Sequence, residues 1–193
     1  MEVPEDAMEV YFLFRYIYIT YMYTYILYIY IATAELGFAT AAMYGITSDA
    51  LWKYKGSTGT CTTHTPVAGI KGCAKIPENS YNATMRAVAT VGPIAISVDA
   101  ASWFSYSSGV FSGCGKQSSY DLDHAVQLVG YGVDSATKTP YWLVRNSWGT
   151  GWGESGYIRI KRNVDADMTK NCKDDNTPLD GCGCKGGPSC IIV

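Results

Sequence analysis

The sequence predicts an α+β fold, and three observations predict it. Two stretches with helical spacing come first, and runs whose apolar residues alternate follow them. Glycine-rich turns separate those runs, and no segment of domain length repeats. Thr33 is placed to cap a first helix carrying Leu36, Phe38 and Met43, and Gly45 stops it. Residues 46–79 read as loop and short extended pieces, punctuated by Gly56, Gly59, Pro66, Gly69, Gly72 and Pro77. Ser80 is placed to cap a second helix, with Tyr81, Met85, Val88 and Ala89 on one face and Gly92-Pro93 at its end. The period then changes to two: Ile94, Ile96 and Val98 alternate with Ala95, Ser97 and Asp99 as in a half-buried strand. Residues 124–131, 140–146 and 156–162 are further strand candidates, and an antiparallel run is expected. After Asn163 the tail is polar, rich in Cys and Gly, and without periodicity.

The first 32 residues differ from all of this and form a separate leader. An acidic stretch to Val10 precedes YFLFRYIYITYMYTYILYIYI, residues 11–31, in which Arg15 is the sole charge and eight of the chain's 16 tyrosines lie. The acidic flank does not suit a secretory signal. The length suits a membrane span and the alternation suits a strand. Tyr, Ile, Thr and Met are also what an AT-rich dinucleotide tract yields when translated, so the run is expected to be foreign to the domain. A membrane contact would come only through residues 11–31.

Composition bounds the function. With 48% hydrophobic and 17% charged residues in 193, the chain has a core to bury and is no disordered tail. The net charge is −2, and Glu2, Glu5, Asp6 and Glu9 all sit in the leader, so the remainder is near neutral and offers no footprint for nucleic acid. Seven cysteines against two histidines favour disulfides over zinc, and with them an oxidising compartment. Cys61-x-x-His64 and Cys182-x-Cys184 with Cys190 lack the two close pairs of a structural zinc site, so no metal is expected, and no cofactor. Asn82-Ala83-Thr84 is a glycosylation sequon.

Chemistry points to two residues. His124 stands in Leu122-Asp123-His124-Ala125-Val126 at the start of a strand, and Asn146 in Asn146-Ser147-Trp148-Gly149 at the end of another. An imidazole that shuttles a proton needs a partner on its second nitrogen to fix tautomer and ring angle. An amide oxygen does this without adding charge, and Trp148 is placed to keep water from that bond.

The run NSWGTGWGESGYIRIKR (residues 146–162), with GPIAISVDA (92–100) and LDHAVQLVGYG (122–132), closely resembles the papain/cathepsin L family of cysteine peptidases in wording, order and spacing. TAELGFATAAMYGI and YKGSTGTC extend the similarity, which covers about residues 33–172. The resemblance implies a helical lobe and a β-barrel-like lobe, of which residues 33–193 would supply mainly the latter with a remnant of the former. It implies that His124 is the catalytic imidazole, Asn146 its orienting partner and Trp148 their shield. Ser97, Leu122 and Ala125 would line a pocket for a substrate side chain. It also implies a disulfide from Cys114 to the C-terminal cysteines, with Cys172 preferred, and a partner for Cys61 upstream of the matched region. A monomer acting on peptide or protein substrates, or held by a protein inhibitor, follows from the same likeness. So does a place in the secretory pathway, the lysosome or vacuole, or outside the cell.

One departure bears on activity. The family's nucleophile opens a helix in a Cys-Gly-Ser-Cys-Trp-like word about 130 residues before the histidine, and this chain contains no such word. Nor does it contain the glutamine of the oxyanion hole or the Cys-Asn-Gly-Gly stretch after it. Cys61 and Cys73 lie in loops, away from any helix N-terminus that would stabilise a thiolate. The family's closing Cys-Gly strand is not recognisable either. The expectation is a peptidase domain truncated at both ends, inactive as written and marginally stable alone. The alternatives are a pseudopeptidase that binds peptides or inhibitors, and a membrane-anchored module.

Overall fold

The computed structural model describes residues 34–55, 57, 65–77, 80–113, 122–163, 172–174 and 190–192. The chain divides into two compact units at Lys75/Ile76. In the first, helix α1 (Ala34–Tyr44) ends where the sequence places its stop. Gly45 donates its N–H to Ala41 O (3.0 Å) at φ +71°, in the left-handed region. A Cβ there would come within 2.5 Å of the Pro66 side chain, so close packing as well as backbone angle requires glycine. Beyond it the described residues up to Pro77 are irregular, as expected, apart from a bridge between Ile46 and Ala68. Ala41 and Ile46 form a small buried cluster with Phe38, Ala68 and Ile70 against them. Thr33, Cys61 and His64 lie outside the described residues.

The second unit opens with helix α2 (Tyr81–Thr90), whose cap is Ser80: its Oγ accepts the Ala83 N–H at 3.4 Å. Tyr81, Met85 and Val88 face the core as the spacing predicts, but Ala89 is exposed, and Thr84 and Ala87 are buried instead. The buried stripe therefore follows the 81–84/85–88 row of the helix, and Ala89 falls one position outside it. Asn82, the sequon residue, is exposed on the first turn.

A five-stranded sheet follows, built from β1 (Ile94–Val98), β2 (Val110–Phe111), β3 (His124–Val133), β4 (Pro140–Arg145) and β5 (Tyr157–Lys161) in the order β1-β3-β4-β5-β2. Four of these strands match the alternating runs; β2 does not, because two residues cannot display a period. β2 pairs parallel to β5, so the sheet is mixed rather than wholly antiparallel. A second departure is the pair β6 (Cys172–Asp174) and β7 (Cys190–Ile192), antiparallel in a tail that shows no periodicity. Its backbone partners lie far apart in sequence, where local pattern carries no signal.

The core lies on one face of the five-stranded sheet. Val126, Leu128, Val144, Ile158 and Ile160 project from it, and Trp103, Ala100 and Tyr106 pack over them from the β1–β2 connection. Arg162 is also buried, with its guanidinium 5.4 to 5.7 Å from the ring centroids of Tyr81, Tyr131 and Trp142. Its Nη1 donates to the Tyr81 hydroxyl, which ties α2 to the sheet edge.

On the far side Arg159 is the centre of an ionic knot. It donates Nε and Nη2 to the two Glu154 carboxylate oxygens (2.7 and 2.5 Å) and Nη1 to Asp134 Oδ2 (2.6 Å). Glu154 in turn accepts the Gly109 N–H at 2.8 Å, and the Tyr106 hydroxyl donates to Gly109 O at 2.7 Å. Burial pushes the Tyr106 phenol up, and the hydrogen bonds from Arg159 pull the Glu154 carboxyl down. Asp134 is held at about 2, first by the Thr137 N–H, then by the Thr137 hydroxyl and Arg159. A carboxyl depressed below its ordinary 3.8 stabilises the fold above that value and loses this contribution as pH falls towards 2. Thermal unfolding of the native chain and Asp134→Asn should therefore differ most above pH 4, with the native chain the more stable. The two melting curves should converge as pH approaches 2, and a gap that widens on acidification would contradict this assignment.

Candidate active site

Period-two geometry puts His124 on the core face of β3, with Val126 and Leu128. Asn146 lies one residue past β4 and by the same alternation shares the side of Val144. β3 and β4 are antiparallel neighbours with Gln127 opposite Arg145, so Asn146 reaches diagonally back to the strand's first residue. The result is a buried contact of 2.8 Å between His124 Nε2 and Asn146 Oδ1, with the two residues 6% and 8% exposed.

The proton can be placed on this bond by chemistry. Asn146 Oδ1 also accepts the Ser147 N–H at 2.8 Å, which an amide nitrogen could not do. The atom facing His124 is therefore an oxygen, and Nε2 must carry hydrogen to donate to it. In the neutral ring the lone pair is then on Nδ1, and Nδ1 is the atom able to take a proton. Asn146 is itself held from behind, since its N–H donates to Gly156 O at 2.9 Å and closes the loop of residues 146–156.

Aromatic rings enclose the imidazole. Trp148 stacks on it with centroids 5.3 Å apart and planes at 28°, and Trp103 meets it edge-on at 6.5 Å and 85°. Trp152 links the two indoles, lying 5.1 Å from Trp148 and 6.3 Å from Trp103, and its Nε1 donates to Trp103 O at 3.2 Å. Gly153 lets this loop fold so tightly: at φ +56° its Cβ would stand 2.6 Å from Tyr157 O. Asp123, next to His124, accepts the Ala100 N–H at 3.0 Å and so anchors the turn that carries Trp103.

Ser97 and Ala125 are paired directly across β1 and β3. Both lie on the sheet face opposite His124, as consecutive strand residues must. Leu122 is buried just before the strand. Trp103 and Trp152 were not among the residues the sequence singled out, although the aromatic cluster Trp103-Phe104-Ser105-Tyr106 beside a strand end is visible in it. Cys114 lies outside the described residues, and Cys172 is described in its backbone alone. Among the described residues no His, Cys, Asp and Glu cluster suits a metal ion.

Comparisons with known proteins give the family. The family model described as papain family cysteine protease matches residues 32–187. The chain belongs to that family. Within this papain family, the chain is 39% identical over 126 residues to viral cathepsin of Heliothis zea nuclear polyhedrosis virus, covering 64% of this chain and 33% of that one. It is 43% identical over 126 residues to vignain of Ricinus communis, covering 62% and 33%. The chain thus spans about a third of the length of the curated relatives it matches. Among solved structures, the bromelain protease from Ananas comosus in complex with the E64 inhibitor superposes with a TM-score of 0.60 at 41% identity, over 68% of this chain and 60% of that one. A digestive procathepsin L 3 from Tenebrio molitor larval midgut gives 0.60 at 36% identity, over 67% and 43%. The fold is a partial papain-like α+β fold.

Asn146→Ala removes the acceptor of a buried N–H and should cost about 1–3 kcal/mol in urea unfolding. In 15N spectra of labelled histidine the same change should turn a single Nε2–H tautomer of His124 into a mixture. A ring that stays wholly Nε2–H without Asn146 would show that the amide does not set the tautomer.

Proposed function

We propose that these residues form the proton-transfer side of a papain-type thiol protease site, with His124 as acid and base and Asn146 as its orienter. The supporting observation is the buried 2.8 Å bond from His124 Nε2 to an oxygen that Ser147 identifies as such. In peptide cleavage the free Nδ1 would take the thiol proton as sulfur adds to the carbonyl carbon. It would return that proton to the amine as the C–N bond breaks. Nε2–H stays on Asn146 throughout, and the resulting imidazolium lies against the π-face of Trp148. Ser97, Leu122 and Ala125 would line the pocket for a substrate side chain. Asn82 would carry a glycan in the secretory pathway, on its way to a vacuole, a lysosome or the outside.

The chain of 193 residues contains no Cys-Gly-Ser-Cys-Trp-like word. Cys73, the cysteine whose side chain is described, is exposed in a loop of the other unit. Acyl transfer without an attacking thiol has no first step, so this chain by itself is read as inactive. The same observation favours a second reading, a pseudopeptidase that holds peptides or inhibitors without cutting them. The membrane alternative falls on residues 11–31, outside the described residues; among those described, no helix is long and apolar enough to cross a membrane.

Fluorogenic dipeptides under mildly reducing, slightly acidic conditions separate these readings. The purified chain should show no turnover, and saturable binding of a labelled peptide would support the pseudopeptidase reading. Turnover that is lost in His124→Ala would show that one of the seven cysteines does serve as nucleophile, and the inactive reading would fall.

A further inference from the structure

Phe104 takes no part in the site as derived so far, yet it is placed against it. It is 74% exposed, on the turn that Asp123 anchors through the Ala100 N–H. The Phe104 ring lies nearly parallel to Trp148, at 10° and 4.8 Å between centroids. Three planes therefore lead from solvent to the imidazole: Phe104, the half-buried Trp148 and the buried His124. Among the described residues Trp148 has one further ring contact, with Trp152 at 5.1 Å between centroids and 78° between planes. The turn presenting Phe104 is rigid, because Trp103 beside it is 1% exposed and its N–H bonds Ala100 O at 3.0 Å.

We infer that Phe104 is a positioning residue: by stacking on Trp148 it holds the indole over His124 and keeps water from the His124–Asn146 hydrogen bond. The inference rests on the reading of that pair as the proton-transfer group. A hydrogen bond between neutral buried partners keeps its strength only while water is excluded, and a broad indole that can swing away is a poor cover. An offset aromatic stack of this separation is strong enough to change how often the cover opens. Because most of the Phe104 ring is in water, its removal takes little from the core.

The test is the exchange of the His124 Nε2–H with solvent, followed by NMR in the full chain labelled uniformly with 15N. The chain has two histidines, so His124→Gln assigns the signal. Phe104→Ala should speed the exchange about two- to tenfold, Phe104→Leu should do the same, and Phe104→Tyr should keep the native rate. A native rate in the alanine variant would overturn the inference, as would a tyrosine variant as fast as the alanine one. Equal acceleration of the Val144 and Ile158 backbone amides would mean general loosening and would overturn it too. No turnover enters this measurement, so its failure is distinct from a failure of the protease reading, which the peptide assay decides.

Discussion

The antiparallel pairing of β3 with β4 is the constraint on which the rest depends. Its register sets Gln127 opposite Arg145, and from that single alignment follow the diagonal approach of Asn146 to His124 and the burial of both. The core residues Val126, Leu128 and Val144 lock the alignment, since a slip of one residue would turn every one of them away from the core. The chemistry at the strand end is thus specified by packing several residues away from it.

Around this alignment the loops do separate jobs. The segment after Asn146 stacks Trp148 on the imidazole and sets Trp152 against Trp148, and it is closed by the Asn146–Gly156 backbone bond, with Gly153 allowing the tight path. The turn after β1 brings Trp103 edge-on to the imidazole, and Asp123, the residue next to His124, fastens that turn through the Ala100 N–H. The Arg159 knot holds the outer ends of both segments through Glu154 and Gly109. Among the described residues, the hydrogen-bond and ring contacts of the imidazole are neutral: one amide oxygen and two indoles.

Much of this could be read in the sequence. Ser80 as a cap, Gly45 as a stop and the alternation in residues 94–98, 124–131 and 140–146 each express a local rule, and the structure follows them. His124, Asn146 and Trp148 could be singled out because each stands in a long and specific word. What escaped depended on partners remote in sequence. β2 is a strand because β5 lies beside it, and Ala89 is exposed because the sheet reaches only the neighbouring row of α2. Trp103 and Trp152 were not singled out, and only the fold shows that Trp103 meets the histidine edge-on and that Trp152 lies against Trp103.

The bulge in β3 has a bearing on how such a chain can change over generations. Between Leu128 and Gly130 the strand advances two residues while β4 advances one, so Val129 is an extra residue absorbed without disturbing the pairs on either side. That tolerance lies downstream of the site. Between His124 and Leu128 there is none: one inserted or deleted codon would rotate His124 to the face held by Ala125 and bring Ala125 to the core side. A one-residue change in the length of β3 is therefore compatible with the site only downstream of Leu128.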